Sequence, residues 1–216
     1  MKIDKIATQA GFPEMWKKRE KIVGDFHILY YYLPSSHMAY WRGYPMNKCI
    51  FDTWSMQEII CEKLPDFFIE CGTAYGGFTL FIADLFEMIG KGVVITVDIR
   101  KDCCVAPEHC RIIKVNGDSV DPGVLKTVKK LVSLGKSVMV DLDSDHSKKH
   151  VLKELEAYGK LVTPGQYMIC EDTNIPETME ALRIFIKKNR DAWITDDERA
   201  FKHLLTFAPE GYLIKK

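Results

Sequence analysis

The chain has 216 residues, 47% apolar and 28% charged, with 14 glycines and 9 prolines. That composition excludes a disordered, collagen-like or low-complexity protein. Thirty Lys and Arg balance thirty Asp and Glu, so no net field gathers a polyanion and the balance argues against a nucleic-acid partner.

No apolar run approaches the ~20 residues of a membrane span, and MKIDKIATQAGFPEMWKKRE lacks the apolar block of a signal peptide. Seven cysteines at irregular spacings read as reduced thiols. The expectation is a soluble, cytoplasmic protein without a membrane partner; homo-oligomerisation is left open.

Residues 1–64 offer a basic helix near Glu14 to Val23, an aromatic segment from Tyr30 to Trp41, and a helix from about Asp52 to Leu64. Lys17-Lys18-Arg19 reads as a solvated helix face. The aromatic rings either roof a pocket or pack this extension onto the core. From Asp66 onward, short apolar runs alternate with helical patterns. The runs are Phe67 to Ile69, Val93 to Val97, Arg111 to Val115, Ser137 to Leu142 and Tyr167 to Cys170. Most are continuously apolar, as strands buried on both faces of a parallel sheet must be. Helices are predicted for Gly77 to Ile89, which stops at Gly90 and Gly92, and for Pro122 to Leu134, which stops at Gly135. Two more run from Ser147 to Leu161 and from Pro176 to about Arg190. In the tail, Ala192 to Thr195 and Leu204 to Phe207, running on to Ile214, look like two strands with no helix between them.

Five strands separated by helices mean βαβ units and an open, doubly wound, mostly parallel α/β sheet. The tail adds an antiparallel C-terminal hairpin, giving seven strands. The expected organisation is a single domain, with residues 65–216 as the core and residues 1–64 as a helical, aromatic extension packed on it.

Ligands of such sheets sit beyond the carboxyl ends of the strands. The first strand ends in Glu70-Cys71-Gly72-Thr73-Ala74-Tyr75-Gly76-Gly77, which is neither a Walker loop nor G-x-G-x-x-G. Its glycines let backbone approach a ligand, and Glu70 repels a pyrophosphate but accepts from an ammonium group. Asp98 ends the second strand, where a carboxylate takes both hydroxyls of a ribose or merely caps a helix. Asn116-Gly117-Asp118-Ser119 follows the third; Asp118 there either bonds an adenine amino group or belongs to an ordinary turn. In this order the three strand ends describe a nucleoside site without a phosphate requirement.

The fourth strand ends in Asp141-Leu142-Asp143-Ser144-Asp145-His146 and the fifth in Glu171-Asp172-Thr173-Asn174. Five carboxylates at two neighbouring strand ends repel one another unless something cationic lies between them. Helix capping accounts for one carboxylate per end and not for five. Hard oxygen donors suit Mg²⁺, Mn²⁺ or Ca²⁺ rather than zinc. His146, directly after the acidic run, is a candidate general base, with a carboxylate-bonded first-turn residue as the alternative. His150 reads as a packing or surface residue. Cys103-Cys104 with His109 and Cys110 resembles a zinc site only superficially, since a second Cys-x-x-Cys arm is absent.

The blocks IECGTAYGG, VDLDSDHSKKHVLKELEAYGKLVTPG and ICEDTN resemble the cephalosporin hydroxylase family. It comprises class I S-adenosylmethionine-dependent methyltransferases, with a Rossmann-like sheet, and includes rhamnosyl O-methyltransferases. Trp41-Arg42-Gly43-x-Pro45-x-x-Lys48-x-x-x-Asp52 and Leu205-Thr206-Phe207-x-Pro209-x-Gly211-Tyr212-Leu213 are similar to the family as well. The resemblance runs from about residue 40 onward. It implies a cofactor site at Glu70, Gly72, Thr73, Gly76 and Gly77 for the methionine end. Asp98 would hold the ribose, Asp118 with Ser119 the adenine, and Asp143 also falls among the cofactor-binding residues. It further implies Mg²⁺ or Mn²⁺ on Asp145, Glu171 and Asp172, with 26 residues from Asp145 to Glu171. Asp145 and His146 become the catalytic pair for methyl transfer to a hydroxylated small molecule or sugar. Two departures stand out: Phe78 follows the glycine turn where the family has Ser, and Pro176 enters its helix almost directly after Asp172.

Two other function classes compete. An NAD-dependent oxidoreductase fits Asp98 but lacks G-x-G-x-x-G and has Glu70 at the phosphate position. A non-catalytic nucleoside-binding module fits the shortened loop after Asp172, whereas the intact acidic set argues for chemistry.

Overall fold

A computed structural model describes residues 12–32, 39–100, 106–132 and 136–216. Helix α1 (Phe12–Tyr32) runs past the expected basic helix as far as the first aromatic residues. Strands β1 (Ala39–Trp41) and β2 (Tyr44–Met46) form a two-stranded antiparallel ribbon, and α2 (Ile50–Lys63) follows. The alternating part then reads β3 (Phe67–Cys71), α3 (Gly77–Ile89), β4 (Val93–Asp98), β5 (Ile112–Asn116), α4 (Pro122–Leu131), β6 (Val138–Leu142), α5 (Lys148–Tyr158), β7 (Tyr167–Cys170) and α6 (Pro176–Asn189). It closes with β8 (Trp193–Thr195), the short α7 (Asp197–Phe201) and β9 (Tyr212–Lys215). The expected end of the fourth helix pattern at Leu134 lies outside the described residues.

The seven strands lie in the order β5-β4-β3-β6-β7-β9-β8, with β3 to β7 parallel and β9 antiparallel to both its neighbours. This is the doubly wound sheet the sequence predicts. Alternate residues of each strand feed opposite faces. Ile69, Ile95, Val140 and Met168 meet Val124 and Val128 of α4, Leu155 and Tyr158 of α5, and Leu182 and Phe185 of α6. Phe68, Val94, Met139 and Ile169 meet Met56, Ile59 and Ile60 of α2 and Ile82 and Phe86 of α3. Each such side chain, fully buried, contributes about 1.5–3 kcal/mol. Helix α2 therefore covers one face of the sheet.

The tail differs from expectation. Strands β8 and β9 pair antiparallel, but α7 lies between them in sequence and β9 sits between β7 and β8, so β8 forms the edge. Asp196 caps α7 by accepting from Arg199 N at 3.1 Å. Leu205, Thr206 and Phe207 are buried outside the sheet because they wrap the Asp52 carboxylate. Strand order reverses between β4 and β6 around β3, which makes their carboxyl ends the switch point where a ligand cleft opens.

Glycine is needed where two segments touch. A Cβ on Gly77 would lie 2.3 Å from the carbonyl oxygen of Pro45, and one on Gly72 (φ +101°) would lie 1.9 Å from that of Asp143. Gly77→Ala must push the β1–β2 ribbon off α3. The expected outcome is a loss of about 1–3 kcal/mol, read by urea unfolding. Among the described residues no helix is long and apolar enough to cross a membrane.

Candidate active site

A cleft of about 420 Å³ opens beyond β3, β4, β5 and β6. Glu70, Gly72, Thr73, Gly77, Asp98, Asp118, Ser119, Asp143, Asp145, His146 and Asp172 all line it, joined by Lys48, Phe78 and His150. Two of the residues singled out from the sequence do not line it. Gly76 sits behind the turn as the left-handed cap of α3 (φ +76°), and Glu171 lies deeper in the protein.

At the β3 end, Glu70 is buried, and its Oε2 accepts from the hydroxyls of Thr79 and Thr96, each at 2.5 Å. Burial pushes its carboxyl up to about 7, against the pull of those two hydrogen bonds. Thr79 supplies a hydroxyl one residue after the place where the family has Ser, and it is spent on holding Glu70. Phe78 serves a different purpose: its ring lies 4.4 Å from the Lys48 ammonium.

At the β4 end, Asp98 accepts from Ala74 N at 2.9 Å and Arg100 N at 2.8 Å, which ties the glycine turn to the next strand end. After β5, Asp118 accepts from Val120 N at 2.9 Å, as in an Asx turn. Ser119 donates to the buried Glu154 at 2.5 Å and lies 3.0 Å from His150 Nε2. Ser144 donates to the same Glu154 oxygen at 2.7 Å. Glu154 thus joins the loops after β5 and β6 from beneath, and its hydrogen bond raises the His150 pKa. His150, which the sequence suggests is packing or surface, stands in the cleft wall.

At the β6 and β7 ends the carboxylates crowd around a side chain from outside the alternation. Lys48 Nζ lies 2.7 Å from Asp141 Oδ2, 3.1 Å from Asp143 Oδ2 and 3.0 Å from Glu171 Oε1, with its side chain 4% exposed. Burial alone would lower the ammonium pKa, but the three carboxylates outweigh it and hold it well above the ordinary lysine value. Burial likewise raises Asp141, to about 6, and pushes Glu171 well above the usual carboxylate range. Asp172, raised by burial and by Asp143, accepts from Tyr31 OH at 2.8 Å and lies 3.3 Å from His146 Nε2. Its backbone is left-handed (φ +50°).

Asp143, His146 and Asp172 each present one donor atom within 4.8 Å of the others. The Asp145 carboxylate instead accepts from Ser147 N at 2.7 Å, and the Ser147 hydroxyl and backbone N–H together lower its pKa. One ammonium against this many carboxylates leaves the site short of positive charge. Asp141 Oδ1 is buried without a hydrogen-bond donor, and Glu171 Oε1 has the Lys48 ammonium at 3.0 Å as its counter-charge. Hard oxygen donors with uncompensated charge fit a Mg²⁺ or Mn²⁺ ion.

Two motifs of the resemblance meet beneath the cleft. Asp52 accepts from Thr206 Oγ1 at 2.5 Å, Phe207 N at 2.8 Å and Tyr212 OH at 3.0 Å. Elsewhere, His109 faces Asp84 at 3.6 Å and Cys110 faces Glu87 at 3.8 Å. Cys103 and Cys104 lie outside the described residues.

Residues 35–216 match the family model described as Rhamnosyl O-methyltransferase/CmcI. The rhamnosyl O-methyltransferase of Mycobacterium leprae (strain TN) is 31% identical over 216 residues, covering 94% of this chain and 94% of that one. That of Mycobacterium bovis (strain BCG / Pasteur 1173P2) is 30% identical over 216 residues, covering 93% and 87%. Two solved structures are similar in fold. CmcI with Mg and SAM has a TM-score of 0.67 at 20% identity, over 83% of this chain and 77% of that one. The apo form of CmcI has a TM-score of 0.66 at 23% identity, over 82% and 76%.

Proposed function

The chain belongs to the rhamnosyl O-methyltransferase/CmcI family, and we propose that it is an S-adenosylmethionine-dependent, metal-assisted O-methyltransferase acting on a hydroxyl of a small molecule of the sugar class. The observation that carries this reading is one continuous cleft. It offers Glu70, then Asp98, then Asp118 and Ser119 for the cofactor, and opens on the acid cluster at its other end. We also propose that it works in the cytoplasm as one domain, residues 1–64 being an extension on the 65–216 core.

Glu70 receives the ammonium group of the cofactor's methionine end, with the glycine turn as the wall beside it. Asp98 accepts from the ribose hydroxyls, and Asp118 with Ser119 binds the adenine. A divalent ion held by this cluster would supply Lewis acidity toward the acceptor hydroxyl. The family resemblance gives its ligands as Asp145, Glu171 and Asp172, and the converging atoms give Asp143, His146 and Asp172. Asp172 belongs to both sets. In the first set His146 stays free to take the acceptor's proton, held by the Asp172 carboxylate. The oxygen must then approach the methyl carbon in line, so orientation supplies much of the acceleration.

Melting with S-adenosylhomocysteine, NAD and Mg²⁺ in parallel tests the reading. A ligand at 100 Kd stabilises by about 2.7 kcal/mol, and the expected result is a response to the first and third alone. A response to NAD without one to S-adenosylhomocysteine would overturn it. Asp98→Ala should weaken S-adenosylhomocysteine by about 1.5–3 kcal/mol per charge-assisted hydrogen bond lost, measured calorimetrically. Asp172→Asn should lower Mn²⁺ affinity at least tenfold. Whichever of Asp143→Asn and Asp145→Asn matches that loss, and exceeds the loss in Asp141→Asn, whose carboxylate lies outside the cleft, identifies the ligand set.

A further inference from the structure

Lys48 is the ammonium at the centre of the acid cluster. It is held in place from several directions. The turn carrying it lies between the β1–β2 ribbon, seated against Gly77, and α2, locked by Asp52 to residues 206–212. Its ammonium fills the space between Asp141, Asp143 and Glu171 and rests on the Phe78 ring. Asp141 is fully buried and does not reach the cleft, so Lys48 is its counter-charge whether or not the cleft is filled.

We propose that Lys48 is a built-in counter-ion that keeps the acid cluster assembled without a metal and thereby holds the cluster's affinity for a divalent cation down. The inference rests on the metal reading above. Four buried or half-buried carboxylates, Asp141, Asp143, Glu171 and Asp172, would repel one another in a low-dielectric pocket. One fixed positive charge makes that arrangement foldable. The same charge stands among the groups that face an incoming divalent ion and repels it. The ion therefore binds reversibly to a preformed site and does not act as a structural staple.

The test is a charge series on the full chain, with Mn²⁺ as the probe, read by calorimetric Kd and by melting in EDTA. Lys48→Met should bind Mn²⁺ at least tenfold more tightly, melt lower in EDTA, and regain its melting temperature with Mn²⁺. Asp141→Asn, which removes a charge that is not a ligand, should bind at least tenfold more weakly. The double variant Lys48→Met/Asp141→Asn should return to within about threefold of wild type and recover the metal-free melting temperature. If Lys48→Met fails to fold, Asp141→Asn against the double variant still decides, since adding Lys48→Met must tighten binding at least tenfold. Equal Mn²⁺ affinity across wild type and all folded variants would overturn the role of Lys48 and leave the metal reading intact. No Mn²⁺ binding by the wild type would overturn both.

Discussion

Asp52→Ala should lower stability by about 3–5 kcal/mol, roughly a 10 °C fall in melting temperature for a chain of this size. The carboxylate is 1% exposed and accepts from Thr206, Phe207 and Tyr212. Alanine leaves all three donors buried without an acceptor, and each unsatisfied group costs about 1–3 kcal/mol. Asp52→Asn keeps one carbonyl oxygen and should lose less. Urea unfolding of both variants checks the ranking, and a loss below about 1 kcal/mol for alanine would show that water or a rearranged loop replaces the carboxylate.

The second large effect is a pH dependence carried by Glu70. Its carboxyl is pushed up to about 7 in the folded protein by burial, against about 4.3 in an unfolded chain. The folded state therefore keeps the proton longer than the unfolded state. The group's contribution to stability is full below about pH 4.3 and is lost as pH rises through 7. At 1.36 kcal/mol per pKa unit the loss is on the order of 3 kcal/mol. Glu70→Gln removes it, so the stability difference between wild type and variant should shrink from pH 4.5 to pH 8. Cofactor binding has the opposite sign, since an ammonium group favours the ionised carboxylate. S-adenosylhomocysteine affinity should rise with pH through 7 in the wild type and stay flat in Glu70→Gln. A parallel slope in both proteins would remove Glu70 from the cofactor's ammonium end.

The strand–helix alternation was legible because buried parallel strands must be continuously apolar and helices between them must end at glycine or begin at proline. Strands β3 to β7 accordingly fall where the apolar runs lie. The acidic strand ends were legible too, together with the requirement for a positive charge among them. What the sequence hid is that part of that charge is covalent. Lys48 and Asp141 are 93 residues apart, and a single lysine in a loop carries no local mark that separates a buried ion pair from a solvated side chain. Glu154 was hidden in the same way, on a helix rich in charged residues, because only the folded sheet brings Ser119 and Ser144 over it. The tail was misread for a local reason. Leu205, Thr206 and Phe207 have strand-like composition, but Thr206 and Phe207 bond Asp52, His27 and Asn174 and not a neighbouring strand. The acidic start of α7, Asp196-Asp197-Glu198, was the cap signal that marked the intervening helix.

The placement of β9 between β7 and β8 has a consequence for vectorial synthesis. Strand β8 leaves the ribosome before β9 yet has no partner in the sheet until β9 arrives. Asp52 waits equally long for Thr206, Phe207 and Tyr212. Throughout elongation the half-made sheet exposes the unpaired edge of β7 and leaves the anchor for the Lys48 turn unformed. A nascent chain halted before residue 205 would thus carry the glycine turn and both acidic strand ends, but neither a completed edge nor a settled cation, and its hazards are sticky edges and mispairing. Folding to the native state becomes a late, nearly all-or-none event coupled to release of this segment.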